Sequence, residues 1–263
     1  MKKTTLITGA STGIGTALAD VYAKHGYDLI LMARRGDKLN EIKARLESLY
    51  SGIAVSCVVS DVSNTEKHRE DIRTACAGLS TLNVAIANAG IGGVTNGWMD
   101  AWEKASEILT VNILGAVATL ETCKMIMLKQ GFGHLVGITS VASARGLPQS
   151  SAYCASKAAL EVYLESLRID LSNRGIEVTA IHPGFVSTPM TEKNGKMPFL
   201  ITPEDAAQRI YHGVEKHKAR VFFPAPMAMA VWLLRRIPNT LYDSLMSFGR
   251  KRAQVFRKKH EEI

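Results

Sequence analysis

Tyr153 and Lys157 stand four positions apart in the segment Tyr153-Cys-Ala-Ser-Lys157. In a helix this spacing places both side chains on one face. A free tyrosine has a pKa of about 10, but a nearby ammonium group favours the phenolate and lowers that pKa. The pair could therefore act as a general acid and base. Taken alone the spacing is a weak indication, because most Tyr and Lys residues so placed form an ordinary pair on a helix surface.

Two further polar residues could complete such a site. Ser140 ends an apolar segment typical of a strand, thirteen positions before Tyr153, and doubly wound sheets bind their ligands at such strand ends. Its hydroxyl could hydrogen-bond a substrate oxygen. Asn112 lies inside a long helical pattern, where asparagine is a poor residue, so its amide could bond water or backbone for a functional reason. It could equally be a tolerated polar residue on a helix.

A glycine-rich segment, Gly9-Ala-Ser-Thr-Gly13-Ile-Gly15, connects the first apolar run to the first helical pattern. Gly9 can turn the chain off the strand, Gly13 lets the backbone approach a pyrophosphate, and Gly15 lets the helix pack close to the sheet. The helix N-terminus would then offer N–H groups and a positive dipole to phosphates. The alternative is a simple glycine-rich turn in which Ser11 or Thr12 caps the helix.

The end of the second predicted strand favours NADP(H) over NAD(H). An NAD-binding sheet usually carries Asp or Glu there to hold the ribose 2′-hydroxyl, whereas this chain has Ala33 followed by Arg34 and Arg35. A guanidinium group suits a 2′-phosphate because its forked donors match phosphate oxygens. The alternative is a pair of solvated surface arginines. Asp37 lies too far along to replace the missing carboxylate.

The elements that must position these residues alternate along the chain, as in right-handed βαβ units. The predicted strands are 4–8, 27–33, 53–59, 83–88, 134–140, 177–182 and 220–223, and the longer predicted helices are 65–77, 101–128, 153–171 and 203–216. They predict a single-domain α/β fold, a Rossmann-like doubly wound parallel β-sheet flanked by helices, with a C-terminal helical extension. The catalytic, nucleotide-binding part spans residues 1–225, and an amphipathic basic tail spans 226–263. Residues 188–201 show no clear period and are the best candidate for a mobile loop.

The composition excludes several classes of protein. Of the 263 residues, 46% are hydrophobic and 21% are charged, which is close to the average and argues against disorder, collagen-like repeats and coiled coils. The four cysteines form no C-x-x-C pair and no His cluster has metal-ligand spacing. We therefore expect no disulfide framework, no metal site and a cytoplasmic location. No segment suggests a transmembrane helix.

The formal charge of +8 is unevenly distributed. From residue 235 onward, eight Lys or Arg residues face three acidic residues, and the rest of the chain is close to balanced. The basicity therefore belongs to the tail and does not indicate a nucleic-acid groove. An amphipathic helix with Trp232 in this tail could bind an anionic membrane surface. It could also pack on the body, cover the pocket mouth or form a subunit interface.

Taken together, the motifs resemble the short-chain dehydrogenase/reductase family. They follow its order and spacing from Lys3 to about Phe223: Thr8-Gly9-x3-Gly13-x-Gly15, Asn88-Ala89-Gly90, Asn112, Ser140, Tyr153-x3-Lys157 and Pro183-Gly184. The resemblance implies an NADP(H)-dependent oxidoreductase that interconverts a carbonyl and an alcohol by hydride transfer. An alternative is an NADP(H)-binding sensor without turnover, which would be expected to have lost Tyr153 or Lys157.

The resemblance also implies a role for each matching residue. Tyr153 would exchange a proton with the substrate oxygen, Lys157 would lower the tyrosine pKa and hold the nicotinamide ribose, and Ser140 would orient the carbonyl. Asn112 would hold a water that links Lys157 to a proton relay. The implied cofactor-binding residues are Gly9, Ser11, Thr12, Gly13, Ile14, Gly15, Arg34, Arg35, Asp61, Val62, Asn88, Ala89, Gly90, Tyr153, Lys157, Pro183, Gly184, Val186 and Thr188.

Within that set, the resemblance places Asp61 on the adenine amine and Thr188 on the nicotinamide carboxamide. Some NADPH-binding members carry a basic residue just before Gly13, where this chain has Thr12. Substrate choice would depend on segments 91–93, 141–149 and 188–201, whose apolar residues suggest a lipid, steroid-like, acyl or aromatic carbonyl. Relatives associate through the helices at 101–128 and 153–171, so we expect a homodimer or homotetramer.

Overall fold

The computed structural model describes residues 2–192, 195 and 197–247. Within them, seven parallel strands form one sheet in the order β3-β2-β1-β4-β5-β6-β7. The strands are β1 Thr4–Thr8, β2 Asp28–Ala33, β3 Val55–Val59, β4 Val84–Ala87, β5 Gly133–Ile138, β6 Ile176–Pro183 and β7 Arg220–Phe223. Each lies within about two residues of its predicted position, and the predicted α/β class with a parallel Rossmann-like sheet is confirmed.

Helices cover both faces of this sheet. They are α1 Gly13–Lys24, α2 Gly36–Leu49, α3 Thr65–Cys76, α4 Trp102–Leu109, α5 Ala116–Gln130, α6 Ser151–Asp170, α7 Pro203–Glu215 and α8 Ala225–Leu234, and residues 239–247 form α9. Successive strand residues point to opposite faces, so Ile7 packs in the core beneath α1, α2 and α7, while Leu6 packs beneath α3, α5 and α6. The strands are apolar on both faces because both faces are buried.

The helical segment predicted at 101–128 is observed from Trp102 to Gln130, but it is interrupted. Residues Thr110–Gly115 form a π-helical turn between α4 and α5. Contrary to the sequence expectation, this segment is long and apolar enough to cross a bilayer, although 56% of its most apolar window is buried inside the fold. Such burial is typical of a core helix, which passes the same test of length and composition.

The sheet order creates a crevice at the carboxyl ends of β1 and β4. The chain runs outward from β1 to β2 and β3, then returns across β1 to β4 and continues the other way. The helices that follow β1 and β4 therefore lie on opposite faces, which leaves a gap between them at this switch point. The glycine-rich segment, Asn88-Ala89-Gly90 and Ser140 all follow strands at this edge.

The described part of the tail packs against the body. Arg145 donates hydrogen bonds to the Leu234 carbonyl at 3.1 Å, to the Ile237 carbonyl at 2.9 Å and to Asn239 Oδ1 at 2.9 Å. The Tyr242 hydroxyl donates to the Gly146 carbonyl at 2.6 Å. These bonds fasten the ends of α8 and α9 to the segment that follows Ser140. The rest of the predicted tail, residues 248–263, lies outside the described residues.

Candidate active site

Helix α6 places Tyr153 and Lys157 on one face, as their spacing predicts. The Lys157 ammonium lies 5.8 Å from the centre of the Tyr153 ring. Lys157 is buried, and its Nζ donates a hydrogen bond to the Ile138 carbonyl at 2.8 Å. The end of β5 therefore fixes the lysine in the crevice, next to the tyrosine.

Two opposing effects act on the Tyr153 hydroxyl. Burial raises its pKa, and the neighbouring Ser140 side chain works against that rise without cancelling it. Ser140 begins a short 3₁₀ turn, Val141–Ser143, and its Oγ accepts a hydrogen bond from the Ala142 N–H at 3.1 Å. The backbone thus holds Ser140 in place beside Tyr153. A pKa-lowering effect of Lys157 on the tyrosine stays a prediction.

Burial also acts on the lysine. It lowers the pKa of Lys157 to about 8, because an ammonium loses its hydration in a buried site. The group is therefore mostly charged at neutral pH, yet it titrates within reach of physiological conditions. Such perturbed groups in a crevice are typical of functional sites.

Asn112 sits in the π-helical turn, which explains how the chain accommodates it. Its Oδ1 accepts the Ile91 N–H at 2.8 Å, and its Nδ2 donates to the Ile91 carbonyl at 3.0 Å. The same Nδ2 donates to Ser156 Oγ at 3.0 Å, and the Ser156 hydroxyl donates to the Tyr153 carbonyl at 2.7 Å. Ser156, which the sequence analysis missed, thus connects Asn112 to helix α6. Turns of this type recur at functional sites.

Gly90 brings these groups together. A methyl group added there would lie 3.2 Å from Asn112 Oδ1 and 3.4 Å from Lys157 Nζ. The backbone after β4 therefore passes directly beside both side chains, and any larger residue would push them apart. Asn112 and Lys157 face the same short segment from two different helices.

The glycine-rich segment forms a cradle too narrow for side chains. Gly9 has a φ of +66°, and a Cβ there would lie 2.8 Å from the Ala89 Cα. A Cβ on Gly15 would lie 2.8 Å from Asn88 Nδ2 and 2.9 Å from the Ala10 Cα. The first turn of α1 contains no acidic residue, and the Thr12 side chain makes no capping hydrogen bond. An uncapped helix N-terminus beside such a cradle fits a pyrophosphate.

Asn88 and Thr8 brace this cradle from the neighbouring strands. Asn88 Nδ2 donates to the Thr8 carbonyl at 2.9 Å and to the Gly9 carbonyl at 3.3 Å. The Thr8 hydroxyl accepts the N–H groups of Asn88 and Ala89, each at 3.1 Å. The sequence analysis includes Thr8 in the glycine-rich motif but not among the predicted site residues. Its hydroxyl holds the ends of β1 and β4 together where the crevice opens.

Arg35 turns back onto the cradle. Its guanidinium donates to Ser11 Oγ at 3.0 Å and to Thr12 Oγ1 at 3.2 Å. Arg34 and Arg35 are exposed, whereas Ala33 before them is buried. One cationic group and two hydroxyls therefore converge at the end of β2. This donor set suits an anion such as a phosphate.

Asp61 follows β3 at the same edge of the sheet. Burial alone would raise its pKa, but hydrogen bonds from the Ser63 N–H at 2.9 Å and the Ser63 hydroxyl at 2.8 Å, together with the charge of Arg34, lower it below its usual value. Asp61 is therefore ionised and held as an acceptor. Val62 packs against Gly115, where an added Cβ would lie 2.8 Å from the Val62 Cβ, and so joins this segment to the π-helical turn.

The last predicted cofactor residues follow β6. The Gly184 N–H donates to the Phe223 carbonyl at 2.7 Å, which ties the end of β6 to β7. Thr188 lies against the cradle, since a Cβ on Gly13 would approach its Cγ2 to 2.9 Å. Val186 pairs with Ile201, so the described ends of the 188–201 segment are anchored together. Its mobility stays a prediction.

The predicted residues thus gather at the carboxyl edge of the sheet. Arg35 and the glycine cradle meet at the ends of β1 and β2, and Lys157, with Tyr153 beside it, lies at the end of β5. The uncapped N-terminus of α1 and the Arg35 guanidinium suit the phosphate groups of a nicotinamide dinucleotide.

Comparisons with known proteins agree with this geometry. A family model for short chain dehydrogenases matches residues 3–198. An uncharacterised oxidoreductase from Myxococcus xanthus is 39% identical over 243 residues, which cover 92% of this chain and 95% of the relative.

Solved structures share the fold. A short-chain dehydrogenase from Sphingobium yanoikuyae in complex with NADPH has a TM-score of 0.80 and 25% identity, covering 93% of this chain and 95% of that one. A short-chain dehydrogenase/reductase from Burkholderia phymatum in complex with NAD has a TM-score of 0.81 and 23% identity, covering 88% and 92%. Two oxidoreductases of the same architecture thus hold different nicotinamide cofactors. From its matched motifs, its relatives and its sheet, this chain is an oxidoreductase of the short-chain dehydrogenase/reductase family.

Proposed function

We propose that this protein is an NADP(H)-dependent enzyme that interconverts a carbonyl and an alcohol on an apolar substrate, with Tyr153 as the general acid and base. The observation that carries the proposal is the convergence of Ser140, Tyr153 and Lys157 at the end of β5, where Lys157 Nζ is bonded to the Ile138 carbonyl and Ser140 lies close enough to act on the pKa of Tyr153. The buried ammonium of Lys157 lies 5.8 Å from the centre of the Tyr153 ring. Two hydroxyls and one cation thus meet beside a cradle that fits a dinucleotide.

The bound cofactor would supply the hydride during reduction or accept it during oxidation. Ser140 would donate a hydrogen bond to the substrate oxygen, which orients the carbonyl and polarises it. Tyr153 would give its proton to the same oxygen as the alcohol forms, and would remove it in the reverse direction. Lys157 would stabilise the phenolate that remains, because a positive charge nearby favours the ionised form. Asn112 and Ser156 would keep α6 in register with the crevice.

The preference for NADP(H) is supported by the residues at the end of β2. Arg35 already contacts Ser11 and Thr12, and a 2′-phosphate could accept hydrogen bonds from all three. Ala33 supplies no carboxylate to repel that phosphate or to hold a 2′-hydroxyl. Similar solved structures hold NADPH or NAD, so the preference depends on the residues at the end of β2.

An apolar substrate is supported by the side chains around the catalytic end. Met190 lies across the crevice from Gly92, where an added Cβ would be 3.5 Å from its Cγ. Phe199 and Leu147 are partly or largely exposed near the same segments, so they are free to contact a ligand. A carbonyl on a hydrophobic framework would bury its apolar part here and leave its oxygen to Ser140 and Tyr153.

We also propose a homo-oligomer that forms through α4 and α6, which pack beside each other. Trp102 and Leu109 lie seven residues apart on α4, and Val162 and Ile169 lie seven apart on α6, so each pair shares a helical face. All four side chains are exposed, and a second copy would cover them. Light scattering should give a mass above one chain, and Val162→Arg with Ile169→Arg should lower it.

The function is tested by following NADPH and NADH oxidation over a panel of aldehydes, diketones, acyl ketones and steroid ketones. Tyr153→Phe keeps the ring and removes the proton donor, so NADPH-linked turnover should fall by at least about 100-fold while NADPH binding persists. Turnover that survives in Tyr153→Phe would refute the assigned role. Tight NADPH binding with no turnover on any compound would favour the sensor alternative.

A further inference from the structure

Helix α8 has two apolar faces, and only one of them packs on the body. Met227, Val231 and Leu234 recur at helical spacing, and Val231 is buried while the other two are half-buried. A Cβ on Gly184 would lie 3.1 Å from the Met227 Cγ, so this inner face borders the end of β6 and the catalytic crevice. Such contact accounts for one apolar stripe of the helix.

The opposite face of α8 points outward. Met229, Trp232 and Leu233 recur at i, i+3 and i+4, and their exposed fractions are 63%, 51% and 51%. Helix α8 has no charged residue, so this face carries no charge of its own. Three large apolar side chains on one exposed face are more than scattered surface residues, and patches of this kind mark contact surfaces.

Helix α9 adds two more exposed apolar side chains. Leu241 and Leu245 lie one turn apart and are 59% and 52% exposed, whereas Tyr242 between them is buried against the body. Arg145 bonds to the Leu234 carbonyl at the end of α8 and to Asn239 at the start of α9, which brings these two helix ends close together. We call the five side chains Met229, Trp232, Leu233, Leu241 and Leu245 the outer apolar surface.

Positive charge adjoins this surface. Arg236 lies over the Trp232 ring, 3.8 Å from its centre, and is exposed. Beyond α9 the sequence of residues 248–263 contains six Lys or Arg against two Glu. An apolar helical face with tryptophan, flanked by basic residues, is the pattern of segments that lie in the interface of an anionic bilayer.

We propose that the outer apolar surface docks this protein on an anionic lipid bilayer. A bilayer of this kind matches both features at once, since its acyl boundary accepts the apolar side chains and its headgroups accept the basic residues. A second copy of the chain would match only the first feature, because it would bring another basic segment of the same sign. The inner face of α8 lines the catalytic crevice, so docking would set the pocket mouth beside the membrane. The docking itself does not depend on the proposed reaction.

The test is sedimentation of the full-length protein with vesicles of phosphatidylcholine, with or without about 30% phosphatidylglycerol. Binding should require the anionic lipid and weaken at about 0.5 M salt, since screening removes the attraction. The double variant Trp232→Ser, Leu233→Ser should lower the partition coefficient by at least about tenfold, because two large apolar side chains no longer enter the interface. Leu49→Ser is the matched control, since Leu49 is 61% exposed at the end of α2.

A second variant and a second measurement separate the contribution of the basic residues from that of the apolar side chains. Changing the six Lys and Arg of residues 248–263 to Gln should abolish the salt-sensitive part of the binding. Brominated lipids should quench tryptophan fluorescence in the wild type, and Trp232→Phe should lose that quenching while it still sediments with vesicles. NADPH binding, measured alongside, should be unchanged in every variant, which shows that each is folded and that the proposed reaction is not being tested.

Three results would overturn the proposal. One is the absence of vesicle binding by the wild type, and another is an equal loss in Leu49→Ser and in the double variant. The third is a fall in molecular mass of the double variant by light scattering without lipid. That fall would show that a second copy of the chain covers the outer apolar surface.

Discussion

Replacing Arg35 by glutamine should weaken NADPH binding far more than NADH binding. The Arg35 guanidinium lies 3.0 Å from Ser11 Oγ and 3.2 Å from Thr12 Oγ1, at the ribose end of the crevice. A hydrogen bond to a charged group contributes roughly 1.5–3 kcal/mol. Because Arg35 is exposed and Arg34 leaves one cation in place, we expect the lower half of that range. It corresponds to a Kd for NADPH raised by about 10- to 40-fold.

NADH carries a hydroxyl where NADPH carries the 2′-phosphate, so its Kd should change by no more than about twofold. The assay is the change in nicotinamide fluorescence on binding, titrated at constant ionic strength for both cofactors. Arg174→Gln is the charge-matched control, because Arg174 is exposed just before β6 begins, at the opposite edge of the sheet. An equal loss of affinity for NADPH and NADH, or tighter NADH binding by the wild type, would refute the reasoning.

Three other changes have expected outcomes. Gly15→Ala brings a methyl group within 2.9 Å of the Ala10 Cα and should lower the free energy of unfolding by roughly 1–3 kcal/mol. Gly78→Ala, where the methyl group meets nothing within 4 Å, should leave the free energy of unfolding unchanged. Thermal melts of both variants test this difference. Burial lowers the pKa of His68 from 6.5 to about 4, so the unfolded chain takes up its proton first as pH falls. Stability should therefore drop between pH 6.5 and 4, by roughly 3 kcal/mol from this group, and His68→Gln should flatten the profile measured by urea unfolding. Ser156→Ala removes the hydrogen bonds that connect Asn112 to the Tyr153 carbonyl. It should lower kcat by about three- to tenfold with little change in NADPH affinity. An unchanged kcat would show that Ser156 has only a packing role.

The fold was predictable because each local signal agreed with the others. The run from Thr4 to Thr8 is a strand because it is apolar, short and ended by Gly9. The meeting of the glycine-rich segment, Asn88 and Ser140 at one edge of the sheet was predictable for the same reason, since parallel strands gather their carboxyl ends there. The proximity of Tyr153 and Lys157 follows from a regular helix, and the position of Arg35 beside the glycine-rich segment follows from its place directly after β2.

Other parts of the site depend on contacts between distant segments, which spacing does not encode. The π-helical turn at Thr110–Gly115 lies in a helical pattern with no proline to mark it, and it exists where Asn112 reaches the backbone of Ile91. Ser156 looked like one more polar residue on α6, yet its hydroxyl connects two helices. Neither contact could be predicted from the local sequence, because the partner lies 21 positions from Asn112 in one case and 44 positions from Ser156 in the other.

The attachment of the tail shows how such distant contacts shape the site. Glu161 lies one helical turn beyond Lys157 and is buried, and Arg235 from the end of α8 donates to both of its carboxylate oxygens at 2.9 Å. Burial alone would raise the pKa of Glu161, but the hydrogen bonds and the charge of Arg235 help to lower it, so the carboxylate stays charged. Arg145 meanwhile ties the segment after Ser140 to the same stretch of tail.

Helix α6 and the segment after Ser140 are thus each fastened to the C-terminal segment by an arginine. Lifting the tail away would break the hydrogen bonds of Arg235 to the Glu161 carboxylate and those of Arg145 to the tail together. Because these bonds would be lost at once, α8 should remain in place while substrate enters and leaves. We therefore expect the tail to act as a fixed wall of the pocket. Met227, which lies against Gly184, should then limit the shape of the substrate that can reach Tyr153 and Ser140.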